Sequence, residues 1–170
     1  NRDSSPTVTN CTFTNNAADD GGGMGNRDSS PTVTNCTFTN NAAGGDGGGM
    51  HNRDSSPNLT NCTFTNNAAR DGGGMNHVGF NSSLTLTNCT FTNNAADDGG
   101  GTDGEGGGIY NRYGSLTLID CTFTGNSATG TFGTGGGFYA VYCDPILNNC
   151  TFTGNSATLF GGGMAVDGGC

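Results

Sequence analysis

The heptapeptide Asn/Asp-Cys-Thr-Phe-Thr-x-Asn occurs six times in this chain, and a glycine triplet with a large apolar residue follows each copy. Its cysteines, Cys11, Cys36, Cys62, Cys89, Cys121 and Cys150, lie at intervals of 25, 26, 27, 32 and 29 residues. Self-similarity at such a period is the signature of a solenoid, in which each repeat is one coil that buries its apolar face only against its neighbours. An array of this kind presents rows of equivalent side chains rather than one unique cleft. The expectation therefore moves from catalysis toward surfaces and scaffolds.

Residues 22–41 serve as a template for one coil. Met24 follows the glycines, and residues 25–31 read as turn chemistry ending in Pro31. Thr32-Val33-Thr34 alternates as a half-buried strand does. Val33 and Phe38 are five residues apart and cannot share a face of one uninterrupted strand. A bend at Asn35, a residue type that tolerates left-handed dihedrals, restores the parity. Cys36 and Phe38 then point inward, and Thr37 and Thr39 outward. Residues 40–43 form a further corner.

This arithmetic predicts an all-β parallel β-helix of six coils of 25–32 residues, three short strands per coil, with residues 1–170 as a single solenoid domain. From the large apolar residue to the next Cys the distance is 12 for Met24, Met50, Ile109 and Phe138, and 14 for Met75. Most of the length variation falls instead between the alanines and the glycines, so insertions are confined to one corner. Stacking predicts interior ladders of Val8, Val33, Leu59, Leu86, Leu118 and Leu147, of the six Phe, and of Met24, Met50, Met75, Ile109, Phe138 and Met164. Asn16, Asn41, Asn67, Asn94, Asn126 and Asn155, each three after a Phe, form an amide ladder.

Composition bounds the partners. The net charge of −9, with five Arg and no Lys, argues against nucleic acid and against docking on anionic membranes. No apolar run reaches transmembrane length. Eight cysteines with few charges fit an extracellular or cell-surface setting. Residues 1–6 copy residues 26–31 and 52–57, so the sequence opens inside a repeat: either a leader was removed or this is a piece of a longer array.

Several features offer chemistry. The acidic connectors Asp19, Asp20, Asp46, Asp71, Asp97 and Asp98 fall on one edge as a candidate Ca²⁺ ladder, against the alternative of a solvated acidic rim; no other cofactor is expected. His51 and His77 follow Met50 and Met75 without a recurring carboxylate constellation around them, so no catalytic residue is assigned. The six repeat cysteines read as a ladder of buried thiols. Cys143 and Cys170 replace repeat serines and are expected to bond to each other, or Cys170 to another copy.

The most regular external feature is the threonine array Thr12/Thr14, Thr37/Thr39, Thr63/Thr65, Thr90/Thr92, Thr122/Thr124 and Thr151/Thr153. It resembles the ice-binding face of β-solenoid antifreeze proteins, and threonine is also simply a good exposed strand residue. Asn10, Asn35, Asn58, Asn61, Asn81, Asn88 and Asn149 are N-glycosylation sequons.

The pairing of Phe13-Thr14-Asn15-Asn16 with Gly21-Gly22-Gly23-Met24, and of Phe123-Thr124-Gly125-Asn126 with Gly135-Gly136-Gly137-Phe138, resembles the repeat of chlamydial polymorphic outer-membrane proteins. It also resembles related right-handed parallel β-helix repeats of bacterial surface proteins. That resemblance implies an exported, surface-displayed and often adhesive passenger. The function expected is a structural β-solenoid that stacks head to tail on copies of itself into a filament. The alternatives are an adhesin or autotransporter segment that binds host or glycan surfaces and, third, an ice-binding protein.

Overall fold

The computed structural model describes residues 1–97 and 104–168. All regular structure among them is β: twenty-four short strands form four parallel six-stranded sheets. Each coil visits the sheets in turn. In the first coil the four sides, in order, are Thr7–Thr9, Thr12–Thr14, Ala17–Ala18 and Met24–Arg27. Among the described residues no helix is long and apolar enough to cross a membrane.

The coil has four sides where three are expected. Ala42–Ala43 and its equivalents pair as a ladder of their own, Ala17 with Ala42 and Ala68 with Ala95. Such short runs carry no period-two signal, so they read as part of a corner. A second correction concerns residues 25–27, which continue the strand begun at Met24. Alternation then turns Met24 and Asn26 inward, and both are buried.

Register is maintained in every sheet. Val8 pairs with Val33, Val33 with Leu59, Leu86 with Leu118 and Leu118 with Leu147. The apolar column at the head of the fourth side runs unbroken from Met24 to Met164. The phenylalanines stack with centroids 4.6–5.0 Å apart and rings within 7° of parallel. Burying one such side chain stabilises by about 1.5–3 kcal/mol, and every interior rung shares that contact with two neighbours.

The corners explain the asparagines. Asn10, Asn35, Asn61, Asn88, Asp120 and Asn149 all have φ between 53° and 56°, as the parity argument at Asn35 requires. Asn15, Asn40, Asn66 and Asn93 repeat the device at the next corner, and Asp3, Asp28 and Asp54 at a third. These short polar side chains enter the left-handed region at low cost. Tyr113 and Tyr142, with φ of 66° and 54°, are the bulky exceptions. They stack on each other at 5.3 Å and Tyr113 stacks on Phe80 at 4.0 Å, contacts that offset the backbone strain.

The glycine triplets are steric. A Cβ on Gly74 would lie 2.5 Å from the Gly108 carbonyl oxygen and 2.9 Å from the Phe91 ring. Successive coils approach there too closely for any side chain.

The interior is not wholly apolar. The Asn16-to-Asn155 column forms a continuous amide ladder, buried from Asn41 to Asn126. Asn67 donates from Nδ2 to Asn94 Oδ1 at 2.9 Å, and its backbone N–H donates to the same oxygen at 3.0 Å. The other Nδ2 hydrogen of each asparagine from Asn41 onward caps a phenylalanine carbonyl of the preceding coil, as Asn94 does for Phe64 at 3.0 Å. A second inward column, Asn26, Asn52, His77 and Asn111, lines the fourth side and is at most 2% exposed.

Candidate functional site

The twelve array threonines occupy one sheet, in register from Thr12 and Thr14 to Thr151 and Thr153. Phe at the middle of each strand points inward, so both flanking threonines point out. Neighbours along the axis stand about 4.8 Å apart and the two columns about 6.7 Å apart. On the adjoining side Thr34, Thr60 and Thr87 continue the hydroxyl surface around the corner.

The connector corner gathers charge. Asp46 and Asp71 are bridged backbone to backbone, and Arg70 joins them, with Nη2 3.0 Å from Asp46 Oδ1 and Nε 3.2 Å from Asp71 Oδ2. Asp20 Oδ1 accepts the Asp46 backbone N–H at 3.0 Å, and Asp71 Oδ1 accepts that of Glu105 at 3.1 Å. Burial pushes the Asp46 and Asp71 carboxyls above the usual range, despite the nearby Arg70. Of the six expected acidic residues, Asp20 and Asp46 converge directly and Asp71 joins through Arg70. Asp19 lines the same cleft, Asp97 ends the Ala95–Asp97 strand, and Asp98 lies outside the described residues.

His51 is the residue that the sequence reading passes over. It sits on the fourth side one residue after inward Met50, and so faces out, under the acidic connector. One ligand atom from each of Asp20, Asp46 and His51 lies within 4.8 Å of the others. Burial, the largest influence, lowers the His51 pKa and keeps its ring neutral; Asp20 opposes this, and Arg53 and Arg27 reinforce it. The three residues border a cleft of about 560 Å³ that Arg27 and Arg53 also line. A carboxylate constellation does surround one histidine, where none is expected from the sequence. His77 faces the opposite way. It is fully buried, with Nε2 3.0 Å from Ser82 Oγ, and burial pushes its pKa down to about 4.

The thiol column runs as expected beside the phenylalanines. Cys36, Cys62, Cys89 and Cys121 are buried free thiols, and Cys36 Sγ lies 3.3 Å from the Thr34 carbonyl oxygen. Burial raises the pKa of Cys36 and Cys150, which keeps them protonated. Cys143 is buried at a different corner and accepts from Asn111 Nδ2 at 2.9 Å. Its expected partner Cys170 lies outside the described residues.

The sequon asparagines separate into two groups. Asn10, Asn35, Asn61 and Asn88 form an exposed amide ladder, for example Asn88 Nδ2 to Asn61 Oδ1 at 2.8 Å, and Asn149 donates to Asp120 at 2.6 Å. Asn58 and Asn81 are exposed and stand outside that ladder.

Among the described residues, both end coils carry core rungs that are partly exposed. At one end Val8 and Phe13 are half-buried and Cys11 is exposed. At the other, Ile146, Leu159, Phe160, Met164 and Val166 are between 43% and 65% exposed.

Comparison with known proteins agrees with this architecture and adds its hand. No curated protein and no solved structure matches the chain. The family model described as "Right handed beta helix region" matches residues 1–170. The chain therefore belongs to the right-handed β-helix family.

Proposed function

We propose that this chain is an extracellular or cell-surface structural β-solenoid, without catalytic function, whose end coils stack head to tail into a filament. The observation that carries this reading is the polar and apolar match between the two uncovered ends. In the inner ladder each asparagine donates toward the C-terminal coil, ending with Asn126 Nδ2 to Asn155 Oδ1 at 2.9 Å. Asn155 thus brings an amide donor to one end, and Asn16 Oδ1 is an acceptor at the other. The outer ladder runs in the reverse sense, from Asn35 Nδ2 to Asn10 Oδ1, and is matched equally well. Phe152 would meet Phe13, Leu147 would meet Val8, and open strand edges would be paired. Such a contact is heterologous and does not close.

One overlap must be resolved. Arg2 pairs with Arg27 at one end of the fourth side, and Asp167 pairs with Val141 at the other. When Thr7–Thr9 of one copy stacks on Ile146–Asn148 of the next, Arg2 and Asp167 claim the same rung. Residues 1–3 are held there by four bonds to residues 25–27 and are the element that swings aside.

Electron microscopy and sedimentation of the 170-residue chain test the reading. The expected result is fibres with a subunit repeat of about 29 Å, six rungs of about 4.8 Å. A monomer that persists across the concentration range would overturn it. Its resemblance to surface-protein repeats supports display outside the cell, and a glycan array tests the adhesive alternative. The in-register threonine face favours one further reading, the ordering of water or ice. Thermal hysteresis lost on replacing Thr63, Thr65, Thr90 and Thr92 with valine or lysine would support it, and no hysteresis would dismiss it.

A further inference from the structure

We infer that Asp20, Asp46 and His51 form a binding site for a divalent first-row transition metal ion such as Zn²⁺. Two adjoining columns build the site. The outward column of the fourth side runs Gly25, His51, Asn76, Tyr110, in paired register. The connector column facing it runs Asp20, Asp46, Asp71, Glu105. The two are in contact at several levels: a Cβ on Gly25 would lie 3.8 Å from the Asp20 carbonyl oxygen, His51 meets Asp20 and Asp46, and Tyr110 bonds to Glu105.

Polar groups in the outward column lack partners. His51 Nδ1 is buried with no hydrogen-bond partner. Asn76, on the next rung of the same column, is 0% exposed, and neither its Nδ2 nor its Oδ1 has a partner. Buried orphan groups of this kind call for an explanation such as a bound ion. Asp20 and Asp46 use Oδ1 for the bonds described above, which leaves Oδ2 of each for coordination among the described residues.

The donor set decides the ion. One imidazole and two carboxylates suit Zn²⁺ and its neighbours, whereas Ca²⁺ takes six to eight oxygens. Three protein ligands leave room for solvent in the fourth position, and the open cleft admits it. Arg27 and Arg53 offset part of the local negative charge.

Zn²⁺ titration of the intact chain, followed by calorimetry and by the unfolding midpoint, tests the site. Co²⁺ serves as a spectroscopic substitute, since the position and intensity of its visible bands respond to the ligand set and coordination geometry. The wild-type chain is expected to bind one Zn²⁺ with a raised unfolding midpoint. His51→Gly places at this rung the residue already present at position 25, so the fold is retained and its circular dichroism checks this. That variant and Asp46→Asn are expected to lose at least tenfold in affinity, and His51→Gly to lose the Co²⁺ band. Unchanged Zn²⁺ binding in folded His51→Gly would overturn the assignment, as would Ca²⁺ binding with no response to Zn²⁺. Failure to form filaments leaves these readouts unaffected.

Discussion

Asn94 sits at the centre of the buried amide ladder, and replacing it with alanine isolates what the ladder contributes. Four hydrogen bonds are lost. Asn94 no longer donates to Phe64 O and Asn126 Oδ1, both at 3.0 Å, and no longer accepts from Asn67 N and Asn67 Nδ2, at 3.0 and 2.9 Å. The site is completely buried, so water cannot substitute without opening the coil. Two orphaned donors on Asn67, at about 1–3 kcal/mol each, set the cost at about 2–6 kcal/mol. Neighbouring Asn93 is an exposed left-handed corner, and Asn93→Ala loses only the dihedral preference there, about 1 kcal/mol. Urea unfolding followed by far-UV circular dichroism measures both variants, and comparison of slopes detects any split of the array into separately melting parts. If Asn94→Ala loses less than Asn93→Ala, the ladder is not what holds this corner, and the reasoning fails.

Further outcomes follow from the same geometry. Gly74→Ala places a methyl group against the Gly108 carbonyl and the Phe91 ring and is expected to destabilise by about 1–3 kcal/mol, while Gly44→Ala, with nothing within 4 Å, leaves the melting midpoint unchanged. His77 is neutral in the fold and titrates near 6.5 when unfolded. Its contribution is therefore complete above pH 6.5 and is lost as pH falls toward 4, by about 3 kcal/mol. His77→Asn, which restores the residue found at Asn52 and Asn111, should remove that part of the acid sensitivity in denaturation curves taken from pH 7 to 4. In a head-to-tail stack Cys150 of one copy and Cys11 of the next lie about 4.8 Å apart at Cα, within disulfide range. Oxidation with diamide, which takes up the two thiol hydrogens, should then give a ladder of covalent oligomers on non-reducing gels, and Cys11→Ser should abolish it. Removal of residues 1–3 should speed that cross-linking, because it clears the contested rung.

The interior of this fold was legible because it repeats. Phe13 through Phe152, and Val8 through Leu147, announce their register by spacing alone. Asn35 betrays its corner because the parity of Val33 and Phe38 fails without one. Ala42–Ala43 was illegible as a strand because two alanines carry no alternation. Asn26, Asn52 and Asn111 looked like turn residues, since their burial depends on the fourth side continuing past Met24, Met50 and Ile109. The His51 constellation, formed with Asp20 and Asp46, was hidden for a different reason. Its carboxylates arrive from the connectors, whose lengths vary, and no spacing rule says which connector residue comes to rest over which strand residue.

That contrast bears on where function resides. The inner asparagine ladder built on the repeat period passes donor to acceptor from rung to rung. The inner asparagines show this from Asn16 to Asn155, and a ladder of that kind has no free valence except at its two ends. The connector corner lacks this property. His51 replaces the equivalent of Gly25, Asn76 follows it with an unpartnered amide, and Asp20 and Asp46 face His51 with oxygens to spare. Unsatisfied polar groups cost about 1–3 kcal/mol each when buried, so each calls for an explanation. Among the described residues such atoms lie in two columns of the Met24–Arg27 side, His51 and Asn76 outward beneath the connector corner, and Asn52, His77 and Asn111 inward. The proposed metal ion would answer the outward group and the proposed stacking the open end rungs, and the two proposals are tested separately because the ligands Asp20, Asp46 and His51 are not among the residues paired in the stack.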